Sequence, residues 1–375
     1  MRKVLILLLG LTACAEPENS VQAPYIEISP TFEIDLTETR NSSSTIFKSF
    51  PLNDNSFLVF NEYGRSIDTV KIEGLGGKAL KGPEIPLEGP WGIESINYFQ
   101  PMKEGNAFLD QYAIYFPTEE GLEKIEINDT QFGLTFPHSM PLINLTNHFL
   151  KFLDPNTNRS IVLLSSRGRS KLDRFEKIEL AQIDWNNHRL SKLNFKFSSK
   201  IDENRIEFQG KGFSISSSVY PQVLIHQDKV IVSYSYSNLI QIYELNSNTS
   251  FEIKPKAIDY KEERTKPEIN EMIKSRKEFF EKSRLWESDV TFGPMASLKS
   301  GSFCRLIKKQ KKDGKRGDFI LELFDKDFNK KGESTISEGS KFLTLFYIPL
   351  GDQLFVKAHE QPNEDQLSYH LINLE

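Results

Sequence analysis

Apolar and polar residues alternate in short runs along most of the chain. Tyr25-Ile26-Glu27-Ile28-Ser29, Phe32-Glu33-Ile34-Asp35-Leu36, Ile125-Glu126-Ile127-Asn128, Leu193-Asn194-Phe195-Lys196-Phe197 and Ile240-Gln241-Ile242-Tyr243-Glu244-Leu245 all repeat with a period of two. That period places the apolar side chains on one face of a pleated strand. The stretches 57–60, 161–164 and 230–234 are more continuously apolar or aromatic, the pattern of strands covered on both faces. Asn246-Ser247-Asn248, Asp325-Lys326-Asp327 and Gly351-Asp352 stand between runs. Such residues accept positive φ or bond to nearby backbone, so they mark hairpin connections.

The clearest unit spans 221–255, with strands at 223–226, 230–235, 239–245 and 250–254 and turns at Gln227-Asp228, Ser237-Asn238 and 246–248. Four antiparallel strands joined by tight turns within about 35–45 residues make one blade of a propeller. More degenerate units cover 47–84, 93–133, 148–200 (with an insertion around Arg167-Gly168-Arg169), 289–337 and 342–375. The last supplies three strands. The segment 32–36 would complete it and pair the first with the last part of the chain, removing edges that isolated blades expose. The expected fold is therefore all-β, a β-propeller over 24–375 of six blades, with seven as the alternative count. No repeated dipeptide signature accompanies the pattern.

One segment departs from the strand period. From Pro267 the apolar residues fall at 269, 272, 273, 279 and 280, with Arg276 between. This is helical spacing, and Pro267 suits a first turn. An amphipathic helix over about 267–285 is expected as an insertion between blades. Ile269, Met272, Ile273 and Phe280 would pack it onto the propeller, or the stripe would serve as a lid or partner surface.

The first residues carry an address and are excluded from the fold. Met1-Arg2-Lys3 precedes the apolar run Val4-Leu5-Ile6-Leu7-Leu8-Leu9-Gly10-Leu11, and Glu16 and Glu18 follow closely. About 18 apolar residues are needed to span a bilayer, so this is a secretion signal and not a membrane helix. Leu11-Thr12-Ala13-Cys14 resembles the lipobox of bacterial lipoproteins. The resemblance implies cleavage after residue 13, acylation of Cys14 and a membrane anchor, with 14–23 as a polar tether. Glutamates so soon after the cysteine resemble the sorting pattern of some Bacteroidetes-type lipoproteins. That implies an outer-membrane location with exposure at the cell surface.

Removing residues 1–13 leaves 362 of 375 residues and takes away Arg2 and Lys3, so formal net charge goes from −5 to −7. That balance offers no basic face for nucleic acid. The chain has 28 phenylalanines against 5 methionines, a bias toward pleated sheet. With Cys14 acylated, Cys304 has no partner for a disulfide, and its strand-like setting predicts a buried, inert thiol.

Together, the lipobox, the degenerate four-stranded units and the helical insertion resemble a Bacteroidetes-type family of propeller-like lipoproteins of unknown function. The resemblance implies an address and a fold. It carries no catalytic residues.

The chemistry-bearing motifs are few. The six histidines, at 138, 148, 188, 226, 359 and 370, lack the helical spacing of a zinc-protease site. There is no Cys-x-x-Cys, and Gly212-Phe213-Ser214-Ile215-Ser216 fails the last position of a nucleophile elbow. Gly74-Leu75-Gly76-Gly77-Lys78 reads as a hairpin loop. The basic run 308–316 reads as a solvated loop, or as a patch for anionic polymer or headgroups. No metal or cofactor is expected. Trp91 and Trp286, beside turns or helix ends, would stack on sugar rings if displayed on a propeller face, or pack as structural aromatics. Arg65, Arg167 and Arg169 would clamp an anionic group bidentately, or lie on the surface.

The function expected is a non-catalytic binding or interaction module for a glycan, a peptide or another envelope protein. The alternative is a hydrolase or lyase acting on glycans or peptides, its site assembled from loops of several blades.

Overall fold

A computed structural model of the chain describes residues 26–28, 32–39, 49–74, 76–96, 98–102, 105–110, 113–126, 139–141, 150–154, 159–166, 177–184, 186–187, 189–204, 206–210, 213–217, 221–266, 273, 275–309, 318–336, 342–358, 361–363 and 365–374. Cys14, Arg167 and Arg169 lie outside them, as do 267–272 of the expected helix and most of the basic run.

The described residues form an all-β fold of antiparallel sheet units. The first contains Ser49–Asn53, Ser56–Asn61, Ser66–Glu73 and Gly76–Leu80. The second contains Tyr98–Met102, Gly105–Leu109, Ala113–Pro117 and Leu122–Glu126. In the third, Arg159–Ser166, Lys177–Asp184 and Arg189–Lys192 run in order, and Ser139–Pro141 and Leu150–Asp154 share the outer edge of Arg159–Ser166. The fourth is Gln222–His226, Lys229–Tyr234, Ser237–Glu244 and Thr249–Ile253. These bounds match the four strands read from the sequence within about two residues. Gln227 at φ 54° and Asn248 at φ 56° supply two of its turns. The fifth pairs Thr291–Phe292 and Ala296–Ser297 with Phe303–Lys308, followed by Phe319–Phe324 and Lys330–Ile336.

The sixth unit consists of Phe342–Leu350, Gln353–Ala358 and Gln366–Leu374. Phe32–Asp35 completes it, antiparallel to Gln366–Leu374 with Ile34 opposite Leu367. The other edge of Phe32–Asp35 pairs parallel with the first unit, Ile34 beside Gly77. The two units therefore merge into one sheet, and the strands at its ends, Ser49–Asn53 and Phe342–Leu350, lie against each other. Gly76-Gly77-Lys78, expected in a loop, belongs to the strand itself; Gly74, at φ 59°, is in the turn. A Cβ on Gly77 would sit 2.8 Å from the Lys71 carbonyl oxygen and 3.2 Å from the Phe32 ring. Glycine is what lets the N-terminal strand approach.

Apolar clusters join the units face to face. Phe60, Ile67, Phe99 and Phe108 join the first and second. Phe57, Val70, Phe355 and Tyr369 join the first and sixth. Leu306, Leu321, Leu354 and Val356 join the sixth and fifth. Ile231, Ile242, Phe303 and Phe324 join the fifth and fourth, and Leu163, Leu180, Val230 and Tyr243 join the fourth and third. A hairpin missed in the sequence, Ile206–Gly210 with Phe213–Ser217, adds Ile206 to this last cluster.

The helix is Arg276–Glu287, shorter than expected. Its start is set by Ser275, whose hydroxyl accepts from the Glu278 amide at 3.1 Å, half of a Ser-x-x-Glu capping box. It buries Phe279, Ser283 and Trp286, and Phe279 and Trp286 join the cluster shared by the third and fourth units. The expected contact Phe280 is instead 50% exposed, because the buried positions follow i, i+4, i+7 from residue 279 and not from 280. Ile273 is buried as expected.

The contact between fourth and fifth units also holds a charged network. Arg305 and Glu322, opposite each other on neighbouring strands, are fully buried and bonded Nε to Oε2 at 2.6 Å. Arg305 Nη2 donates to the Asn238 carbonyl at 3.2 Å, and its guanidinium carbon lies 5.2 and 5.8 Å from the Phe292 and Phe324 ring centres. Lys330 reaches Glu322 at 2.9 Å, and the Tyr260 hydroxyl donates to the same carboxylate. Burial opposes ionisation of Glu322, but the Arg305 and Lys330 charges and the hydrogen bonds from Lys330 and Tyr260 outweigh it and hold its carboxyl below the ordinary range.

Removing one member of a buried pair costs about 3–5 kcal/mol. Glu322→Gln, which leaves Arg305 without a counter-charge, is expected to lower unfolding free energy by about that amount in urea titrations at pH 7. The Arg305→Met, Glu322→Leu double variant is expected to lose less. Because the Glu322 pKa is depressed on folding, the parent's advantage over Glu322→Gln is present above the ordinary glutamate pKa and shrinks as pH falls through the lowered value.

Candidate functional site

The segment 81–96 crosses from the first unit to the second and shapes a cavity between them. Three prolines, at 83, 86 and 90, restrict its backbone. Arg65, in the left-handed region at φ 46°, spends its guanidinium on this segment. It donates to the carbonyls of Ile85 at 3.2 Å and Glu94 at 3.3 Å, and to that of Ile93. The expected anion clamp is thus a backbone staple. On the first unit, buried Asp68 accepts from the Gly82 amide at 2.9 Å, from Ser66 Oγ at 2.6 Å and from Asn61 Nδ2 at 2.9 Å. On the second, the Leu122 amide donates to the Pro90 carbonyl at 2.8 Å. Gly92 permits the turn before Ile93, since a Cβ there would lie 2.4 Å from the Glu88 backbone.

The cavity has a volume of about 440 Å³, within the range of small-molecule sites. Leu58 and Ile67 of the first unit and Phe108, Pro117 and Leu122 of the second form its apolar lining. Trp91, Glu84 and Asn106 also line it. Trp91 is 46% exposed, although an indole usually finds most of its surface covered. Among the described residues, no hydrogen bond or ion pair occupies the side chains of Glu84 or Asn106.

Of the candidates read from the sequence that are among the described residues, Trp91 lines this cavity and Trp286 and Arg65 do not. Trp286, on the last turn of the helix, is 3% exposed in the core, with the Arg264 guanidinium 4.4 Å from its ring centre. Arg264 is itself held by the Val290 carbonyl at 3.0 Å and the Ser235 carbonyl at 3.3 Å. Trp286 is therefore corrected from a candidate ligand contact to a packing residue. Glu84, Asn106 and the apolar lining were missed. The one available signal was the density of proline and glycine around Trp91, which marks a rigid loop but not which sheets it bridges.

Cys304, His226 and Lys357 are not among the residues that line this cavity. Cys304 is fully buried, which pushes its thiol pKa up and matches the expectation of an inert sulfur. His226 stacks edge-on to Phe303 with ring centres 5.0 Å apart. Among the described residues no cluster of His, Cys, Asp or Glu is placed to hold a metal ion, and no helix is long and apolar enough to cross a membrane. Lys357 is 4% exposed, and burial lowers its pKa from 10.5 to about 8.

The sequence matches a domain of unknown function, DUF4221, over residues 31–335. The chain belongs to the DUF4221 family. The crystal structure of a DUF4221 member from Bacteroides vulgatus is similar, with a TM-score of 0.64 at 11% identity, covering 94% of this chain and 99% of that one. A putative exported protein from Bacteroides fragilis aligns with a TM-score of 0.50 at 12% identity, covering 93% and 95%. At such identities the likeness concerns the fold alone. Comparison with curated proteins gave no match.

Two outcomes follow for this DUF4221 chain. Trp286→Ala is expected to cost about 3–5 kcal/mol as a large-to-small core change, and Trp91→Ala about 1 kcal/mol or less, both read by chemical denaturation. For Lys357, the folded state releases its proton near pH 8 and the unfolded state near 10.5. Unfolding takes up a proton between those values, so stability gains a rising contribution from about pH 8 to 10.5. Lys357→Met should abolish that rise.

Proposed function

We propose that this protein is an exported, lipid-anchored binding module, built as a six-bladed propeller, that takes a ligand in the cavity beside Trp91. The observation that carries the reading is Trp91 itself, 46% exposed on the wall of a cavity of about 440 Å³. A large aromatic left open on a rigid, apolar concavity gains its partner on binding.

The propeller arrangement is supported by the order of the apolar clusters. They link the second unit to the first, the first to the sixth, the sixth to the fifth, the fifth to the fourth and the fourth to the third. A contact between third and second would close the ring. The pairing of Phe32–Asp35 with Gln366–Leu374 is the clasp by which such rings join the two ends of the chain.

The anchor is supported by the basic start, the short apolar run and Leu11-Thr12-Ala13-Cys14. Acylation at Cys14 would hold the module on the outer membrane, and Glu16 and Glu18 favour its cell-surface face. Several acyl chains, each CH₂ contributing about 0.8 kcal/mol, make such an anchor stable.

The full chain in detergent, melted against oligosaccharides, peptides and divalent cations, is expected to show a rise in melting temperature with one class, by mass action on the folded state. Trp91→Ala should abolish that rise. No shift across the panel would overturn the binding reading and point to a scaffold for protein partners. Cys14→Ala is expected to move the protein from membrane to soluble fractions.

A further inference from the structure

We infer that the cavity beside Trp91 recognises a neutral pyranose ring, an inference that rests on the binding reading above. The cavity combines three kinds of surface. Trp91 presents an exposed aromatic face, complementary to the carbon–hydrogen face of a sugar ring. Glu84, from the connector, and Asn106, from the second unit, also line it, and among the described residues neither side chain has a partner within the chain. A carboxylate accepts hydrogen bonds only, and an amide both donates and accepts. Vicinal hydroxyls of a pyranose donate and accept in turn, and so fit both.

The same residues argue against other ligands. A wholly apolar molecule would cover a carboxylate and an amide without offering them hydrogen bonds, which is costly. An anionic sugar or phosphate would face the Glu84 charge. Among the described residues the arginine bound to this segment, Arg65, already spends one N–H of each of its three nitrogens on the carbonyls of Ile85, Ile93 and Glu94 and is not among the residues that line the cavity. A quaternary ammonium would suit an indole and a carboxylate. It would leave the Asn106 amide unused, and it prefers several aromatic faces, whereas Phe108 is 7% exposed. Rigidity favours affinity: the prolines of the segment and the Arg65 staple hold the wall in shape before ligand arrives, reducing the ordering cost.

The test is a titration of the full chain in detergent with neutral monosaccharides and disaccharides, N-acetylated ones included. It is followed by calorimetry and indole fluorescence, with tetramethylammonium, glucuronate and the apolar dye anilinonaphthalene sulfonate as comparison probes. A neutral saccharide should bind. Trp91→Ala should weaken it about tenfold or more, Trp91→Phe should restore most of the loss, and Asn106→Ala and Glu84→Gln should each weaken it about three- to tenfold. Saturation by tetramethylammonium or glucuronate with no saccharide binding would overturn the pyranose assignment and leave the site. Dye binding that depends on Trp91 without saccharide binding would do the same. If no probe responds to Trp91→Ala, both the assignment and the binding reading fall.

Discussion

The buried Arg305–Glu322 pair constrains the arrangement more tightly than any single apolar contact. Two fully buried charges at 2.6 Å are tolerable only while each remains bonded to the other. They sit opposite one another on adjacent strands, so a slip of one residue would turn one charge away from its partner. The register of the fifth unit is therefore specified by charge as well as by apolar pattern. The same pair fixes what surrounds it. Arg305 bonds the Asn238 backbone of the fourth unit. Tyr260, Lys330 and Glu333 extend the network over the connector, where Glu333 accepts from the Ile258 and Asp259 amides at 3.1 and 2.8 Å. The segment that leads to the helix leaves from a fixed point.

A second polar staple serves the other side of the fold in a similar way. Arg65 and Asp68 hold the connector 81–96 against the first unit by its backbone, so the loop beside Trp91 has no need of a core of its own. Where the connector after the fourth unit uses its polar contacts to seal an interface, this one leaves an opening. The difference lies in what fills the space. Tyr260 stacks 5.8 Å from Phe292 and occupies the gap, whereas Trp91 stays 46% exposed and the gap remains a cavity.

Strands were legible where their pattern was local. The fourth unit, Lys229–Tyr234 and Ser237–Glu244 included, was readable because alternation and turn residues act within a few positions, except that Ser237-Asn238, expected as a turn, opens the strand and the turn falls at 235–236. The closing strand Phe32–Asp35 was readable because the sixth unit was one strand short. The hairpin Ile206–Gly210 with Phe213–Ser217 was missed, since Gly210 and three serines at 214, 216 and 217 dilute the apolar alternation. The helix was recognised, but its inward face was misassigned. Phe279 and Phe280 are adjacent, and only the packing partners decide which of two neighbouring rings is buried.

The sequence by itself determined the strand period, the turns at Gln227-Asp228 and 246–248, the buried Cys304 and the scarcity of catalytic motifs, because these depend on a residue and its close neighbours. The tertiary structure decided which tryptophan is displayed and which arginines are committed to backbone. Trp91 and Trp286 look alike in sequence, each flanked by turn or cap residues. One lies where two sheets and a proline-rich crossing leave space, the other where its own helix turns it into a core beside Arg264. Exposure is a property of elements distant along the chain, and no local pattern encodes it.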